Sequence, residues 1–123
     1  MKILIAEDYP DNRDVLSLML NSFGCSVDWV ANGQQALDKL AKDNSFDIVL
    51  MDCQMPVLDG YEATRQLRQR EGEQHHTIVV GVTANALAED KDKCLSAGMD
   101  DYLSKPIMME KLTELLLFWS RSR

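Results

Sequence analysis

Short runs of consecutive apolar residues recur along this chain, and they limit its fold more than any other feature of the sequence. Residues 3–6 read Ile-Leu-Ile-Ala, residues 47–51 read Asp-Ile-Val-Leu-Met, and residues 77–82 read Thr-Ile-Val-Val-Gly-Val. A strand that is apolar on both faces is buried on both faces, which is typical of parallel sheets covered by helices. Residues 25–30, which alternate, and residues 101–104 are weaker strand candidates.

Segments with the apolar spacing of helices lie between and after these runs. Their apolar stripes start at Val15, Ala36, Tyr61, Leu87 and Leu112. Strict alternation of five strands and five helices requires right-handed crossovers. It therefore predicts one doubly wound α/β sheet of five parallel strands with helices on both faces.

The residues that begin and end helices agree with this division. Asp11, Asn32 and Asp59 precede helical segments and are predicted N-caps. Gly24 and Gly98 stand where a left-handed residue ends a helix. Each assignment predicts a backbone conformation, because an N-cap is extended and a helix-terminating glycine has positive φ.

Length and composition favour one domain, residues 1–123, and exclude several classes of function. The 13 Lys and Arg against 20 Asp and Glu give a formal net charge of −7, which argues against direct binding of nucleic acid. No apolar stretch approaches the roughly 20 residues of a transmembrane helix, so we expect no membrane insertion. The cysteines Cys25, Cys53 and Cys94 match no zinc or disulfide pattern and predict a reduced, cytoplasmic protein, with Cys25 and Cys94 in the core.

Charged and hydroxyl side chains follow four of the five predicted strands. They are Glu7 and Asp8 after the first, Asp52 after the third, Thr83 after the fourth and Lys105 after the fifth. Because ligands of such sheets bind outside the carboxyl ends of the strands, we expect these residues to converge on one edge. The second strand ends without a charged residue, as expected for an outer strand in the order 2-1-3-4-5.

Three carboxylates at one edge repel each other by about 4 kcal/mol per pair at roughly 4 Å and an effective dielectric constant near 20. Mg²⁺ is the natural counter-charge, since few carboxylates with several waters suit it better than they suit Ca²⁺. A carboxylate beside Mg²⁺ and a lysine is equipped to attack an activated phosphorus and form an acyl phosphate. We therefore predict Asp52 as the phosphoacceptor, with Lys105 and Thr83 contacting the phosphoryl group.

The same residues resemble a known family. Residues 3–8 are similar to the first strand and acidic pair of the receiver domains of response regulators and hybrid sensor kinases. Residues 51–60 are similar to their phosphoacceptor strand and loop, and Thr83-Ala84 and Lys105-Pro106 complete the set. The resemblance covers nearly the whole chain and implies a flavodoxin-like fold.

The resemblance also implies roles for individual residues. Four are implied to hold Mg²⁺, the last of them through water: Asp8, Asp52, the Cys53 backbone carbonyl and Glu7. Lys105 is implied to pair with the phosphoryl group, and its bond to Pro106 is cis in many relatives. Thr83 is implied to sense the phosphoryl group, and Tyr102 is implied to turn inward when Thr83 moves.

Partners follow from the same resemblance. A phosphohistidine protein docking near the first helix is the implied donor, and a downstream protein is implied to bind residues 87–118. The chain is then either the receiver of a hybrid sensor kinase, which would share that protein's kinase activity, or a single-domain regulator. By itself it would catalyse only its own phosphorylation and dephosphorylation.

Two other functions stay open on the residues alone. A phosphatase of the dehalogenase-like class also uses an aspartate nucleophile and Mg²⁺, but its pattern has a second aspartate where this chain has Gln54. A nucleotide or flavin binder of similar architecture is disfavoured, because Glu7-Asp8 stands where a glycine-rich phosphate loop is needed.

Three remaining features favour structural interpretations. His75-His76 is assigned to a solvated loop, and Met55 and Met108-Met109 are assigned to packing. Residues 115–119 are apolar over a wider face than one buried surface requires. Both core packing and contact with a partner or a second copy, in a weak homodimer, remain open for this stripe.

Overall fold

The computed structural model describes residues 1–84 and 88–121, and within them five strands alternate with five helices. The elements are β1 Lys2–Ala6, α1 Pro10–Ser22, β2 Ser26–Val30, α2 Gly33–Lys42, β3 Ile48–Asp52, α3 Gly60–Glu71, β4 Ile78–Thr83, α4 Ala88–Ser96, β5 Asp101–Ser104 and α5 Met109–Arg121. The strands are all parallel, in the order β2-β1-β3-β4-β5. The predicted fold class and strand order are confirmed, while Leu87 lies outside the described residues.

The sheet separates two apolar cores, because successive residues of a strand point to opposite faces. On β3, Val49 and Met51 belong to the core beneath α2, α3 and α4, whereas Ile48 and Leu50 belong to the core beneath α1 and α5. All five residues of β3 are buried, which explains an apolar run without alternation. The outer strand β2 is mostly exposed and carries the alternating sequence.

Four of the five predicted helix boundaries are confirmed. Asn32 and Asp59 are extended N-caps, and each accepts a hydrogen bond from the backbone N–H three residues later at 2.8 Å. Gly24 and Gly98 have positive φ, at 80° and 100°, and each lies two residues after the last residue of its helix, α1 and α4 respectively. These glycines let the chain turn back toward the sheet without the steric strain that a Cβ atom would add.

The prediction that Asp11 caps α1 is wrong. The N-cap lies two residues earlier, at Tyr9, whose side chain makes no capping hydrogen bond, and the helix begins at Pro10. Proline is favoured at the first helical position, since its fixed φ suits the helix and its missing N–H would have no partner there. Asp11 therefore lies in the first turn, where its charge still favours the helix dipole.

Burial separates the apolar residues whose placement the sequence left open. The stripe at residues 115–119 is split, with Leu115 and Leu116 buried and Leu117 and Phe118 exposed. The packing interpretation of the methionine pair is wrong, since Met108 and Met109 are 60% and 45% exposed. They lie at the start of α5, before Leu112, the first buried residue of that helix.

Met55 packs against the core, as predicted. Cys94 is fully buried, as predicted, but Cys25 is only half-buried, against the core beneath α1 and α5. His75 and His76 are exposed in the predicted loop, although His76 also pairs with Asp100, its Nε2 atom lying 2.6 Å from the carboxylate Oδ1. Within the described residues, no helix is both long enough and apolar enough to cross a bilayer.

Candidate functional site

The strand register brings the predicted site residues to one edge of the sheet. Ala6 of β1 lies beside Met51 of β3, so Glu7 and Asp52 follow at neighbouring strand ends. Asp52 in turn lies beside Val82, and Thr83 is the next residue of β4. The parallel strands end at one edge of the sheet, so the backbone positions of Glu7, Asp52 and Thr83 lie on neighbouring strand ends, as predicted.

A cluster of three carboxylates occupies this edge. Ligand oxygens of Glu7, Asp8 and Asp52 all lie within 4.8 Å of one another. Glu7 and Asp52 are buried and Asp8 is exposed, so the cluster is accessible from one side. Lys105 reaches into it from the end of β5, with its Nζ atom 2.9 Å from Asp52 Oδ2 and 3.3 Å from Glu7 Oε2.

The electrostatics of this cluster leave negative charge uncompensated. Burial, followed by a hydrogen bond with Asp52 and the charge of Asp52, raises the pKa of Glu7 to about 7. Burial alone would lower the pKa of Lys105, but its hydrogen bond to Asp52 and the two neighbouring carboxylates raise it above its ordinary value. The one ammonium group of Lys105 therefore does not neutralise three carboxylates. Carboxylate oxygens are hard ligands, and a cluster of them with uncompensated negative charge fits a small divalent cation such as Mg²⁺.

Backbone groups hold the acidic side chains in place. The Gln54 N–H donates to Asp52 Oδ1 at 3.0 Å, and the Tyr9 N–H donates to Glu7 Oε1 at 3.1 Å. The Cys53 carbonyl oxygen accepts one hydrogen bond, from the Gly60 N–H at 3.2 Å. Since a carbonyl oxygen has two lone pairs, one acceptor position remains for a cation.

Sequence reasoning missed the reason for Gly60. A Cβ atom at this position would overlap the backbone carbonyl oxygen of Asp52, so the first residue of α3 must be glycine for the helix to pack against β3. The pairing of a predicted N-cap, Asp59, with an immediately following glycine was the available signal. Only the packing of α3 against β3 gives that signal its meaning.

Thr83 and Tyr102 lie on neighbouring strands. Thr83 is buried at the end of β4, and its carbonyl accepts a hydrogen bond from the Lys105 N–H at 2.7 Å. Tyr102 is half-buried and packs against the core beneath α4, with Lys91 Nζ 5.8 Å from its ring centroid. The Lys105–Pro106 peptide bond is cis.

The loop between β3 and α3 contains a strained turn. Val57 has a φ of 69°, and it is the one non-glycine residue with positive φ in the described part of the chain. The Leu58 N–H donates to the Pro56 carbonyl at 2.8 Å across Val57, as in a γ-turn of the rare kind. Backbone strain of this sort is concentrated near functional sites.

Cavities flank the carboxylates on two sides. One, of about 380 Å³, lies between α1 and the end of β5 and is lined by apolar residues together with Glu7, Asp52 and Lys105. The other, of about 480 Å³, is lined by the β3–α3 loop, Asp8 and Lys93. Asp52 is therefore approachable by a small molecule or by a side chain of another protein.

Comparison with known proteins places this arrangement in context. The response regulator receiver domain family matches residues 3–117. The sensor histidine kinase RcsC of Salmonella typhi is 45% identical over 121 residues, which cover 98% of this chain and 12% of that protein. The hybrid signal transduction histidine kinase L of Dictyostelium discoideum is 39% identical over 119 residues, covering 94% of this chain and 7% of that protein. The chain thus spans about a tenth of the length of these relatives.

Solved structures of receiver domains are also similar to this chain. The receiver domain of sensor histidine kinase PA1611 from Pseudomonas aeruginosa, with a magnesium ion coordinated in its active site cleft, superposes with a TM-score of 0.86 at 44% identity, covering 96% of this chain and 95% of that one. A chain of the Saccharomyces cerevisiae complex between the phosphotransfer protein Ypd1 and the receiver domain of Ssk1 superposes with a TM-score of 0.89 at 32% identity, covering 97% and 88%.

Proposed function

The chain belongs to the response regulator receiver domain family, and on that premise we propose that it accepts a phosphoryl group from a phosphohistidine donor onto Asp52. The observation that carries the proposal is the juxtaposition of the buried Asp52 carboxylate with Glu7, Asp8 and the Lys105 ammonium group. These groups supply a nucleophile, a divalent cation site and a positive charge within one cleft.

The transfer itself is one displacement at phosphorus. An Asp52 carboxylate oxygen forms a bond to phosphorus while the bond between phosphorus and the donor imidazole nitrogen breaks, and the electron pair leaves with the imidazole. The Gln54 N–H and the Lys105 ammonium group fix the orientation of the Asp52 carboxylate before the reaction. Lys105 then offsets part of the nearly two negative charges that the phosphoryl group brings.

Asp8, Asp52 and the Cys53 carbonyl would hold Mg²⁺, with Glu7 acting through water. When bound, Mg²⁺ supplies the positive charge that lets the carboxylates and the phosphoryl oxygens occupy one cleft. The raised pKa of Glu7 supports this assignment, because a site that holds protons when empty of cations is one that a cation stabilises. The magnesium ion in the PA1611 receiver supports it independently.

We infer that Thr83 and Tyr102 convert phosphorylation into a change of surface. Moving a two-state equilibrium from 1:99 to 99:1 takes about 5.5 kcal/mol of differential interaction. One charge-assisted hydrogen bond from Thr83 contributes roughly 1.5 to 3 kcal/mol and needs the Lys105 contact beside it. Thr83→Ala is therefore expected to blunt the switch, and a variant that switched as fully as wild type, by NMR chemical shifts of α4 and β5, would contradict this role.

The proposed setting is a cytoplasmic phosphorelay, with residues 1–123 acting as one receiver domain. Its relatives include sensor histidine kinases many times longer, which favours a receiver within a hybrid kinase over a single-domain regulator. The Ypd1–Ssk1 complex shows a receiver paired with a phosphotransfer protein, and we propose a partner of that class, with output through residues 87–118. The exposed residues Met108, Leu117 and Phe118 on and beside α5 are available for that contact or for a weak homodimer.

Phosphorylation with a small phosphodonor tests the chemistry. The purified chain is incubated with phosphoramidate, with and without Mg²⁺, and its intact mass is measured. We expect one phosphoryl group on wild type only with Mg²⁺, none on Asp52→Asn, and one on the control Asp92→Asn, whose carboxylate lies on the exposed surface of α4. Phosphorylation of Asp52→Asn would exclude Asp52, and sustained release of phosphate from esters would favour the phosphatase alternative.

A further inference from the structure

The cavity of about 380 Å³ beside Asp52 lies between α1 and the segment that leads from β5 into α5. On the sheet side it is lined by Ile5, Leu50 and Val82, which are buried residues of β1, β3 and β4. Leu16 lines it from α1, and residues 105–107 line it from the β5–α5 segment. We call this space the α1 cavity.

The α1 cavity has the size and the lining of a small-molecule site. Such sites usually measure about 300 to 1,000 Å³ and combine a mostly apolar wall with a few polar groups. An apolar cavity of about 150 Å³ is already large enough for benzene. The α1 cavity therefore accommodates a ring with a short attached chain, and its apolar wall favours a ligand with an apolar body.

The polar end of the α1 cavity is formed by two carboxylates of the acidic cluster. Glu7 and Asp52 are only 5% and 4% exposed, and they line the cavity together with the Lys105 ammonium group. When Glu7 is ionised, the charged residues of this lining sum to −1. A ligand with one positive charge balances them, whereas an anion would add to the repulsion.

Both carboxylates can accept further hydrogen bonds. Asp52 accepts from the Gln54 N–H and from Lys105, and Glu7 accepts from the Tyr9 N–H and pairs with Lys105 at 3.3 Å. An ionised carboxylate offers about four lone-pair positions, so acceptor positions remain on each of them. A cationic N–H group is a suitable donor, because hydrogen bonds between ionised groups are the strongest kind in proteins.

The α1 cavity also differs from the site proposed for Mg²⁺. Asp8 and Cys53, two of the proposed Mg²⁺ ligands, line the cavity of about 480 Å³ beside the β3–α3 loop and do not line the α1 cavity. The Asp52 carboxylate is thus approached from two sides, and the two sides differ in chemistry. The Mg²⁺ side combines acidic side chains with a backbone carbonyl, whereas the α1 side combines carboxylates with an apolar wall.

We propose that the α1 cavity binds a small organic monocation, that is, a ligand with an apolar body and one ammonium or amidinium group. The apolar body packs against Ile5, Leu16 and Leu50, and the cationic group donates hydrogen bonds to Glu7 and Asp52. No covalent bond forms. Binding requires neither Mg²⁺ nor phosphoryl transfer, so this proposal and the proposed phosphorylation of Asp52 can fail separately.

Titration of the whole chain with matched probes tests the ligand class. Phenethylamine is a cation with an apolar body, phenethyl alcohol has nearly the same shape without the charge, and methylamine has the charge without the body. The titration is carried out by calorimetry without Mg²⁺ at about pH 8, above the pKa of about 7 of Glu7. We expect one saturable site for phenethylamine per chain.

The two other probes separate the contributions of charge and of apolar body. Phenethyl alcohol should bind about 10- to 150-fold more weakly, which is the usual effect of a hydrogen bond to a charged group. Methylamine should bind at least about 10-fold more weakly, because each buried CH₂ group contributes about 4-fold in affinity. Equal binding of phenethylamine and either other probe, or no binding of phenethylamine, would overturn the proposal.

Two leucines of α1 provide matched variants. Leu16 is buried and lines the α1 cavity, whereas Leu18 is 71% exposed on the same helix and lies outside the lining. Leu16→Phe puts a larger side chain into the cavity and should abolish binding, and Leu18→Phe should leave it unchanged. Glu7→Gln should remove most of the preference for phenethylamine over phenethyl alcohol. Binding that survives Leu16→Phe, or a preference that survives Glu7→Gln in full, would contradict the assignment.

NMR of the wild-type chain keeps the test independent of how the variants fold. Intermolecular NOEs should connect the ring protons of phenethylamine with methyl groups of Ile5, Leu16 and Ile107, which line the α1 cavity from the sheet, from α1 and from the β5–α5 segment. NOEs confined to another surface, such as the exposed Leu117 and Phe118 of α5, would overturn the proposal.

Discussion

The two ends of the sheet differ in how their acidic side chains are paired. At the carboxyl end, Glu7, Asp8 and Asp52 share one ammonium group, that of Lys105. At the amino end, the Arg68 guanidinium of α3 and backbone N–H groups hold two carboxylates, those of Glu71 and Asp100. We call the amino end balanced because both carboxylates accept hydrogen bonds from a guanidinium group and from the backbone, and the carboxyl end unbalanced because three carboxylates share one ammonium group.

The pairing at the amino end is dense. Arg68 donates to Glu71 Oε1 at 2.7 Å and to Asp100 Oδ2 at 2.8 Å, and also to the backbone carbonyls of Thr77 and Gly98, each at 2.8 Å. Both carboxylates accept further hydrogen bonds from backbone N–H groups at the start of β4. The guanidinium group thereby ties α3, β4 and the turn before β5 together.

The difference separates stability from function. A satisfied buried network resists change, because removal of any member leaves a buried charge without a partner. An unsatisfied cluster responds to any ion or group that supplies the missing charge. The chemistry of this protein is therefore expected at the unbalanced carboxyl end.

The largest expected effect comes from breaking the balanced end. Arg68→Ala should lower the free energy of unfolding by about 3 kcal/mol, because Glu71 and Asp100 would remain largely buried without their cation. Urea denaturation measures the loss. Arg65→Ala is the matched control, since Arg65 and Glu62 form a pair that is nearly half exposed, and its loss should be below about 0.5 kcal/mol. Equal losses in the two variants would show that the network adds nothing.

The second largest effect comes from removing one carboxylate from the cluster at the unbalanced end. The pKa of Glu7 is about 7 in the folded protein and near 4.5 in the unfolded chain, so the folded state keeps its proton longer as the pH rises. Stability is therefore lost between about pH 4.5 and pH 7, and Glu7→Gln should remove this loss. We expect the variant to gain about 2 kcal/mol relative to wild type between pH 5 and pH 8.

Urea denaturation at several pH values without Mg²⁺ measures that gain. Glu73→Gln, which changes an exposed carboxylate far from the site, should show no such trend. Excess Mg²⁺ should stabilise wild type at pH 8 more than it stabilises Glu7→Gln. A stability difference that stayed constant from pH 5 to pH 8 would contradict the raised pKa of Glu7.

The smallest effect concerns the positive-φ backbone of Val57, which lies in the loop after β3 at the carboxyl end of the sheet. A left-handed conformation costs a side-chain-bearing residue about 1 to 2 kcal/mol, and glycine avoids that cost at an entropic loss of about 0.5 to 1 kcal/mol. Val57→Gly should therefore raise stability by about 0.5 kcal/mol, measured by the urea midpoint. Val15→Gly, at a similarly exposed valine within α1, should instead destabilise by about 1 kcal/mol.

Much of the fold was predictable because it depends on local patterns. Doubly apolar runs located β1, β3 and β4, and the caps Asn32 and Asp59 marked two helix starts. The wrong predictions concern positions whose structure depends on neighbouring residues. Pro10 displaced Asp11 as the determinant of a helix start, and the exposure of Met108 depends on where the buried face of α5 begins.

The sequence by itself determined the layers and which end of the sheet carries the acidic residues, since these follow from hydrophobic periodicity and from chain connectivity. Only the tertiary structure decided which groups touch. The shared Lys105 between Glu7 and Asp52 and the Arg68 network join residues far apart in the chain. Such contacts depend on distances of a few ångströms between side chains on different elements, and periodicity along one element carries no information about them.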